Sequence, residues 1–124
     1  MPTRRSSGHT LAPVPFIDAS EMLSGAPLPG WSGRFFHSEN MTFAHWDIAA
    51  DAADLHEHHH VQEEVWNVVE GEVVLVVDGE ERRLVQGAAA VVPPNTPHKV
   101  KVVGACRVVI ADYPVRDQLP GVRS

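Results

Sequence analysis

From residue 31 onward, short runs of apolar, β-branched residues alternate with turn residues, and no segment keeps a 3.6-residue apolar period for three turns. Valine dominates these runs, and its branched Cβ favours extended backbone. The strongest turn signal is Asp78-Gly79, because both central residues of a type I′ hairpin turn adopt positive φ. The predicted strands are Gly33–His37, Met41–Ala49, Glu64–Val69, Val73–Val77, Arg82–Val85, Ala89–Val92, His98–Val103 and Cys106–Asp112. The pattern therefore predicts an all-β domain, either a β-sandwich or a small barrel.

The first thirty residues differ from the rest of the chain because prolines interrupt them repeatedly and leave room for one helical turn at most. We expect residues 1–30 to form an irregular N-terminal arm that can lie over a partner subunit. Residues 31–118 form the β-barrel domain in this division, and residues 119–124 form a C-terminal tail.

Composition narrows the class of protein and the partners it can have. A chain of 124 residues with a net charge of −6 fits one acidic globular domain and argues against a nucleic-acid or anionic-membrane surface. No apolar run approaches the roughly 18 residues of a membrane span. The N-terminus carries no signal-peptide pattern, and a single cysteine, Cys106, excludes an internal disulfide. We expect a soluble cytoplasmic protein.

Half of the eight histidines lie in the stretch "DLHEHHHVQEEVW", residues 54–66. On one straight strand His58 and Glu64 would lie about 20 Å apart, too far for two ligands of one metal ion. The carboxylate can be a ligand only if the chain turns between His60 and Glu64, over residues 61–63. By the same geometry His56 and His60 lie about 13 Å apart, so one ion would use 56 and 58 or 58 and 60. Residue 59 points to the opposite face.

A second histidine segment is "VVPPNTPHKVKV", in which His98 opens a strand after a proline-rich turn. Val100 and Val102 share the face of His98, while the lysines between them point to solvent. An imidazole on an otherwise apolar inner face needs a polar partner or a metal ion.

These two segments resemble the two motifs of the cupin family, G-x5-H-x-H-x(3,4)-E-x6-G and G-x5-P-x-G-x2-H-x3-N. The first reads here Ala52-x5-His58-x-His60-x3-Glu64-x6-Gly71, and the second reads Gly87-x5-Pro93-x-Asn95-x2-His98-x3-Val102. The departures are Ala52, Asn95 and Val102. Asn95 preserves the turn, because asparagine tolerates positive φ better than other non-glycine residues.

The resemblance implies a single-domain jelly-roll β-barrel with one divalent transition metal ion held by His58, His60, Glu64 and His98. It selects 58 and 60 over 56 and 58, and makes His56 a rim residue. A mixed nitrogen and oxygen ligand set suits Fe, Mn, Ni, Co or Zn. The ion can act as a Lewis acid or, if it is iron, as an oxygen-activating centre.

The sequence offers further candidates for the lining of the pocket. The candidate catalytic residues are His45, Tyr113 and Arg116, and the candidate substrate-pocket residues are Trp46, Trp66 and Asn67. Arg116 lies in a Pro-x-Arg ending similar to that of small cupins acting on unsaturated uronates, in which a late arginine contacts a carboxylate.

The resemblance implies a metal-dependent enzyme, an isomerase/lyase or a dioxygenase, acting on a small oxygenated molecule. The alternative is a non-catalytic cupin that binds or senses a small molecule. An acid/base or cationic residue in the barrel mouth distinguishes them, because a binder does not need to move protons. Small cupins commonly pair, so a homodimer is expected.

Overall fold

The computed structural model describes residues 16–117 and 122–123. In that part of the chain a single 3₁₀ turn, Ala19–Glu21, precedes ten strands. The strands are β1 Leu23–Gly25, β2 Trp31–His37, β3 Thr42–Ile48, β4 Leu55–His58, β5 Glu63–Val77, β6 Glu80–Val85, β7 Ala89–Val92, β8 His98–Lys101, β9 Cys106–Tyr113 and β10 Val122–Arg123. None of the described helices is long and apolar enough to cross a membrane.

The strands form a cupin jelly-roll β-barrel made of two antiparallel sheets that share β5. The pairing order is β10-β1-β2-β3-β9-β5-β8-β4, and β6 and β7 also pair with β5. The first half of β5 pairs with β7 and β9, and its second half pairs with β6 and β8. The pattern predicts two strands here, 64–69 and 73–77, whereas the structure has one strand of 15 residues.

Gly71 marks the place where β5 passes from one sheet to the other. It has a φ of 78°, and a Cβ at this position would collide with the carbonyl oxygen of Ala105. The pairing with β9 shifts register just before it, between Val68 and Glu70. Glycine therefore lets the strand bend and lie close to its neighbour without breaking the ladder.

Two local predictions are confirmed by backbone angles. Asp78 and Gly79 have φ values of 50° and 82° and join Val77 to Glu80 in a two-residue hairpin. Asn95 has a φ of 58°, as expected for a residue replacing glycine in the second motif.

The barrel interior follows the period of two along each strand. In β9 the side chains of Cys106, Val108, Ile110 and Asp112 are buried, while Arg107 between them is exposed. The fully buried apolar side chains include Phe35, Trp66, Val73, Leu75, Val92, Val100 and Val108. This core fills the interior of the barrel.

The expected irregular arm is partly ordered as sheet. Within it, Leu23–Gly25 forms β1, which pairs with β2 and β10. Pro27 and Leu28 then reach the open end of the barrel, where they line a cavity. Residues 1–15 of the arm and residues 118–121 and 124 lie outside the described residues.

Candidate metal centre

Three histidines reach the open end of the barrel from two adjacent strands and a bend. His58 ends β4 and lies opposite His98, the first residue of β8. The chain then bends at Val61 and Gln62, and Glu64 returns in β5. The turn expected between His60 and Glu64 is therefore present, and it places a carboxylate next to imidazoles that precede it in sequence.

The three imidazoles face one another closely. Potential ligand atoms of His58, His60 and His98 all lie within 4.8 Å of one another. The ring centroids of His58 and His98 are 4.2 Å apart, and those of His60 and His98 are 5.0 Å apart.

Backbone carbonyls fix the orientation of each ring. Nδ1 of His58 donates to the carbonyl of His56 at 3.0 Å, and Nδ1 of His98 donates to that of Thr96 at 2.8 Å. Nδ1 of His60 lies 3.2 Å from the carbonyl of Gln62. Because a carbonyl can only accept, each Nδ1 carries the hydrogen and each neutral ring presents the lone pair of Nε2.

Glu64 completes the group and is held by its own partners. The carboxylate is 5% exposed and accepts a hydrogen bond of 2.6 Å from Nε1 of Trp66. Its other contacts are Nε2 of His60 at 3.2 Å and Nε2 of His98 at 3.4 Å. Burial raises the pKa of the Glu64 carboxyl, but its close contacts with His60 and His98 outweigh burial and hold this pKa below its usual range.

This arrangement fits a metal ion. A lone pair on Nε2 repels a carboxylate oxygen, so a positive charge must lie between these atoms, as either a proton or a metal ion. Nε2 of His98 is buried and has no hydrogen-bond partner among the described residues. Burial lowers the pKa of His58, which favours the neutral form that binds metals. Three imidazoles and one carboxylate are a ligand set for divalent transition metals.

A second carboxyl group lies beside the cluster of His58, His60, Glu64 and His98. Asp112 pairs in register with Glu64 across β5 and β9, and its oxygens lie within 4.8 Å of potential ligand atoms of His60 and Glu64. Its side chain is 3% exposed. Burial and the negative charge of Glu64 raise the pKa of Asp112 to about 7, although Arg116 acts in the opposite direction.

Arg116 lies next to Asp112 on the segment that follows β9. Its Nη1 is 3.8 Å from the Asp112 carboxylate, which is too long for a hydrogen bond. Its backbone N–H donates to Oγ1 of Thr42 at 2.8 Å. Gln62 donates to the carbonyl of Val115 at 3.3 Å. The segment is thus attached to both β3 and the bend between β4 and β5.

These polar groups lie at one part of a cavity of about 400 Å³. Nine of its fifteen lining residues are apolar, so a ligand would meet a largely apolar wall. The apolar lining consists of Pro27, Leu28, Trp31, Phe35, Ala44, Trp46, Leu55, Trp66 and Ile110. The polar lining consists of His56, Glu57, His58, Glu64, Asp112 and Arg116.

The structure divides the sequence candidates for the pocket into two sets. Trp46, Trp66 and Arg116 line the cavity. His45 and Asn67 each neighbour an inward-facing tryptophan on their strand, so their own side chains point to the outer face of the sheet. Both residues pair in register with Val109. Tyr113 is 53% exposed and follows the buried Asp112. These last three residues do not line this cavity, so we do not assign them a role in it.

Asp112 is the site residue that the sequence candidates omit. The period of two in "CRVVIADY" carries the signal, since the buried face of Cys106, Val108 and Ile110 continues to Asp112. An acidic residue in phase with a core face needs a partner or a function.

Comparison with known proteins agrees with this geometry. The cupin domain model (Cupin_2) matches residues 44–112, more than half of the chain. The chain belongs to the cupin family. An uncharacterized protein from Methanocaldococcus jannaschii, MJ1618, is 31% identical over 58 residues, which cover 45% of this chain and 46% of that protein. The chain thus matches less than half of that relative's length.

Solved cupins share the fold at low identity. An RmlC-like cupin from Shewanella frigidimarina is 21% identical with a TM-score of 0.75, over 85% of this chain and 95% of that one. KdgF from a Halomonas species is 24% identical with a TM-score of 0.75, over 85% and 97%. Salicylate 1,2-dioxygenase from Pseudoaminobacter salicylatoxidans, solved with gentisate, is 18% identical with a TM-score of 0.66, over 72% and 26%.

Proposed function

We propose that this cupin is a metal-dependent enzyme that acts on a small oxygenated organic molecule, as an isomerase/lyase or a dioxygenase. One observation carries the proposal: a histidine and carboxylate cluster lies at the wall of a cavity that also holds a protonatable carboxyl group and an arginine. A ligand in that cavity can contact the cluster, Asp112 and Arg116 together.

The proposed ligands of the ion are His58, His60, Glu64 and His98, with Fe, Mn, Ni, Co or Zn as the candidate metals. When bound, the ion would polarise oxygen atoms of a substrate as a Lewis acid or, if it is iron, activate molecular oxygen. The carbonyls that accept from each Nδ1 orient the imidazoles, and Trp66 orients the Glu64 carboxylate.

Two residues of the cavity favour an enzyme over a passive binder. Asp112 is a buried carboxyl group that lines the cavity within 4.8 Å of potential ligand atoms of His60 and Glu64, so it can exchange a proton with a substrate bound beside the cluster. Arg116 offers a fixed positive charge to an anionic oxygen of the substrate. We therefore assign proton transfer to Asp112 and substrate orientation to Arg116.

Two adjacent histidines provide a matched test of metal binding. His60 points into the cluster, whereas His59 is exposed, so His60→Ala should lose metal and His59→Ala should retain it. Elemental analysis of the purified proteins measures this difference. Equal metal content in the two variants and the wild type would contradict the ligand assignment.

The second part of the test is turnover. The metal-loaded protein is screened against hydroxy acids, diketones and dihydroxy-aromatic acids with and without oxygen, which separates a dioxygenase from an isomerase or lyase. Asp112→Asn should lower kcat by roughly 100-fold or more if Asp112 transfers a proton. A protein that binds these compounds tightly but converts none of them is instead a non-catalytic binder.

We also propose a homodimer formed through the outer face of the larger sheet. On that face one row of directly paired residues crosses five neighbouring strands. The row consists of Phe36, Phe43, Ala111, Val65 and Val91. The rings of Phe36 and Phe43 stack at 5.0 Å. A second copy of the same chain is the favoured partner for this face, because the row of side chains is self-complementary under a twofold axis and contains no charged residue.

Val91→Lys tests this interface, since Val91 is 55% exposed and the change leaves the core intact. Val85→Lys is the matched control, because Val85 is 53% exposed on β6, away from the row. Light scattering should give about twice 13.6 kDa for wild type and control, and 13.6 kDa for Val91→Lys. A monomeric wild type would contradict the proposal.

A further inference from the structure

The walls of the cavity select among the small molecules that the proposed function allows. We propose that the ligand is a planar aromatic carboxylate, with its ring on Trp46 and its carboxylate on Arg116, rather than a polyhydroxylated sugar acid. This inference rests on the proposed function for its metal, but its two recognition elements are separate from the metal ligands.

Trp46 is the aromatic side chain placed to receive a ring. It contacts Trp31 and Phe35 edge to face, with centroid distances of 5.5 and 5.1 Å. Trp31 and Phe35 are buried, whereas Trp46 is only half-buried and lines the cavity. The cavity therefore offers the accessible surface of an indole that two neighbouring rings hold in place.

The backbone beneath Trp46 reserves space for this ring. A Cβ at Gly33 would lie 2.7 Å from a Trp46 ring atom and 2.8 Å from a Phe35 ring atom. Gly33 and Trp46 are paired residues of β2 and β3, so the indole lies across the strand at the place where a side chain is missing. A glycine in the interior of a strand weakens it, and here the space it leaves is used to position an aromatic ring.

Apolar walls disfavour a sugar acid. A uronate carries a hydroxyl group on most of its carbons, and each buried hydroxyl without a partner lowers affinity severalfold or more. The polar lining of this cavity consists of His58 and Glu64 from the cluster, together with Asp112, Arg116, His56 and Glu57, and the other nine lining residues are apolar. An aromatic ring can pack against these nine apolar residues without burying unpaired polar groups.

Arg116 supplies the charge that selects an anion. Its guanidinium carries five N–H donors, and the 3.8 Å separation from Asp112 is beyond hydrogen-bonding distance. Thr42 and Gln62 hold the segment that carries it. A planar guanidinium can bind a carboxylate with two parallel hydrogen bonds. Asp112 lies next to both Arg116 and the cluster, so a carboxylate bound to Arg116 would lie near the cluster.

The test is equilibrium binding by titration calorimetry, on zinc-loaded and metal-free protein. The probes are 2-hydroxybenzoate, 2-hydroxybenzyl alcohol, which lacks the carboxylate, and galacturonate. Wild type should bind 2-hydroxybenzoate at least about tenfold more tightly than galacturonate. Equal or tighter binding of galacturonate would overturn the proposal.

Two pairs of variants test the recognition elements. Arg116→Gln should weaken 2-hydroxybenzoate about tenfold or more and leave 2-hydroxybenzyl alcohol within about twofold, whereas Arg107→Gln, on the outer surface, should change neither. Trp46→Leu should weaken both aromatic probes about tenfold, whereas Phe16→Leu, which changes a ring that is 82% exposed and does not line the cavity, should not. Unchanged binding in Arg116→Gln or in Trp46→Leu would overturn the proposal.

Failure of this inference and failure of the proposed function give different results. If zinc does not bind but the metal-free protein keeps the preference and both variant effects, the inference stands and the metal-dependent function fails. If zinc binds through His60 but galacturonate is preferred, the function stands and the ligand class is wrong. All three tryptophans of the chain line this cavity, so quenching of their fluorescence by galacturonate or 2-hydroxybenzyl alcohol independently reports its occupation.

Discussion

The hydrogen bond from Trp66 to Glu64 provides a sharp test of the metal centre. Trp66→Phe keeps an aromatic ring in the core but removes the Nε1–H that donates to the carboxylate at 2.6 Å. A hydrogen bond to a charged acceptor contributes about 1.5–3 kcal/mol. If that contribution acts on the metal-binding geometry, metal affinity should fall roughly 10- to 100-fold, the range found for partners of metal ligands.

Trp31→Phe is the matched control, because Trp31 is also buried, also lines the cavity and donates its Nε1–H to a backbone carbonyl, that of Ala53 at 2.7 Å. Both variants should lose about 1–3 kcal/mol of unfolding free energy from the smaller ring, measured by denaturant titration of metal-free protein. Competition with a chelator for zinc should separate them. Equal zinc affinity in the two variants would refute the argument that Trp66 orients a metal ligand.

Three further predictions concern metal, pH and backbone. A chelator should lower the melting temperature of the metal-loaded wild type and leave that of His98→Ala unchanged, since a ligand that binds only the folded state stabilises it. Metal-free protein should lose stability as pH rises from about 4 through 7, because over this range the folded state holds a proton on Asp112 that the unfolded state releases. In urea titrations Asp112→Asn should remove up to about 1.4 kcal/mol per pH unit of this slope. Parallel plots of unfolding free energy against pH for the variant and the wild type would contradict this prediction. Gly71→Ala should cost about 1–3 kcal/mol and more than Gly79→Ala, because both have positive φ but only Gly71 faces the carbonyl of Ala105; equal unfolding midpoints would show that this contact does not matter.

The strand content could be predicted from local pattern, and the candidate metal ligands could be predicted from the resemblance of two short segments to the cupin motifs. Runs of β-branched residues, the Asp78-Gly79 turn and the spacing of His58, His60 and Glu64 are properties of contiguous segments, and each has a direct geometric meaning. The single strand β5 could not be predicted in this way, since Gly71 looks like a strand end in sequence. Its backbone continues because β9 pairs with it as far as Gly71 and β6 pairs with it from Glu72 onward.

Which side chains line the cavity depended on tertiary structure. His45 and Trp46 are neighbours in sequence, and the register between β2, β3 and β9 decides which of them faces inward. The same is true of Asn67 beside Trp66 and of Tyr113 beside Asp112. A shift of one residue exchanges the two faces, so the sequence supplies the candidates and the pairing chooses among them.

By itself, then, the sequence predicted an all-β domain from residues close together in the chain, and its two histidine segments implied a cupin barrel and a set of metal ligands through their resemblance to the cupin motifs. Only the tertiary structure decided that Asp112 and Arg116 lie beside these ligands and that three tryptophans line the same cavity. Those residues come from strands far apart in sequence, and their facing depends on sheet register and burial, which no local pattern contains.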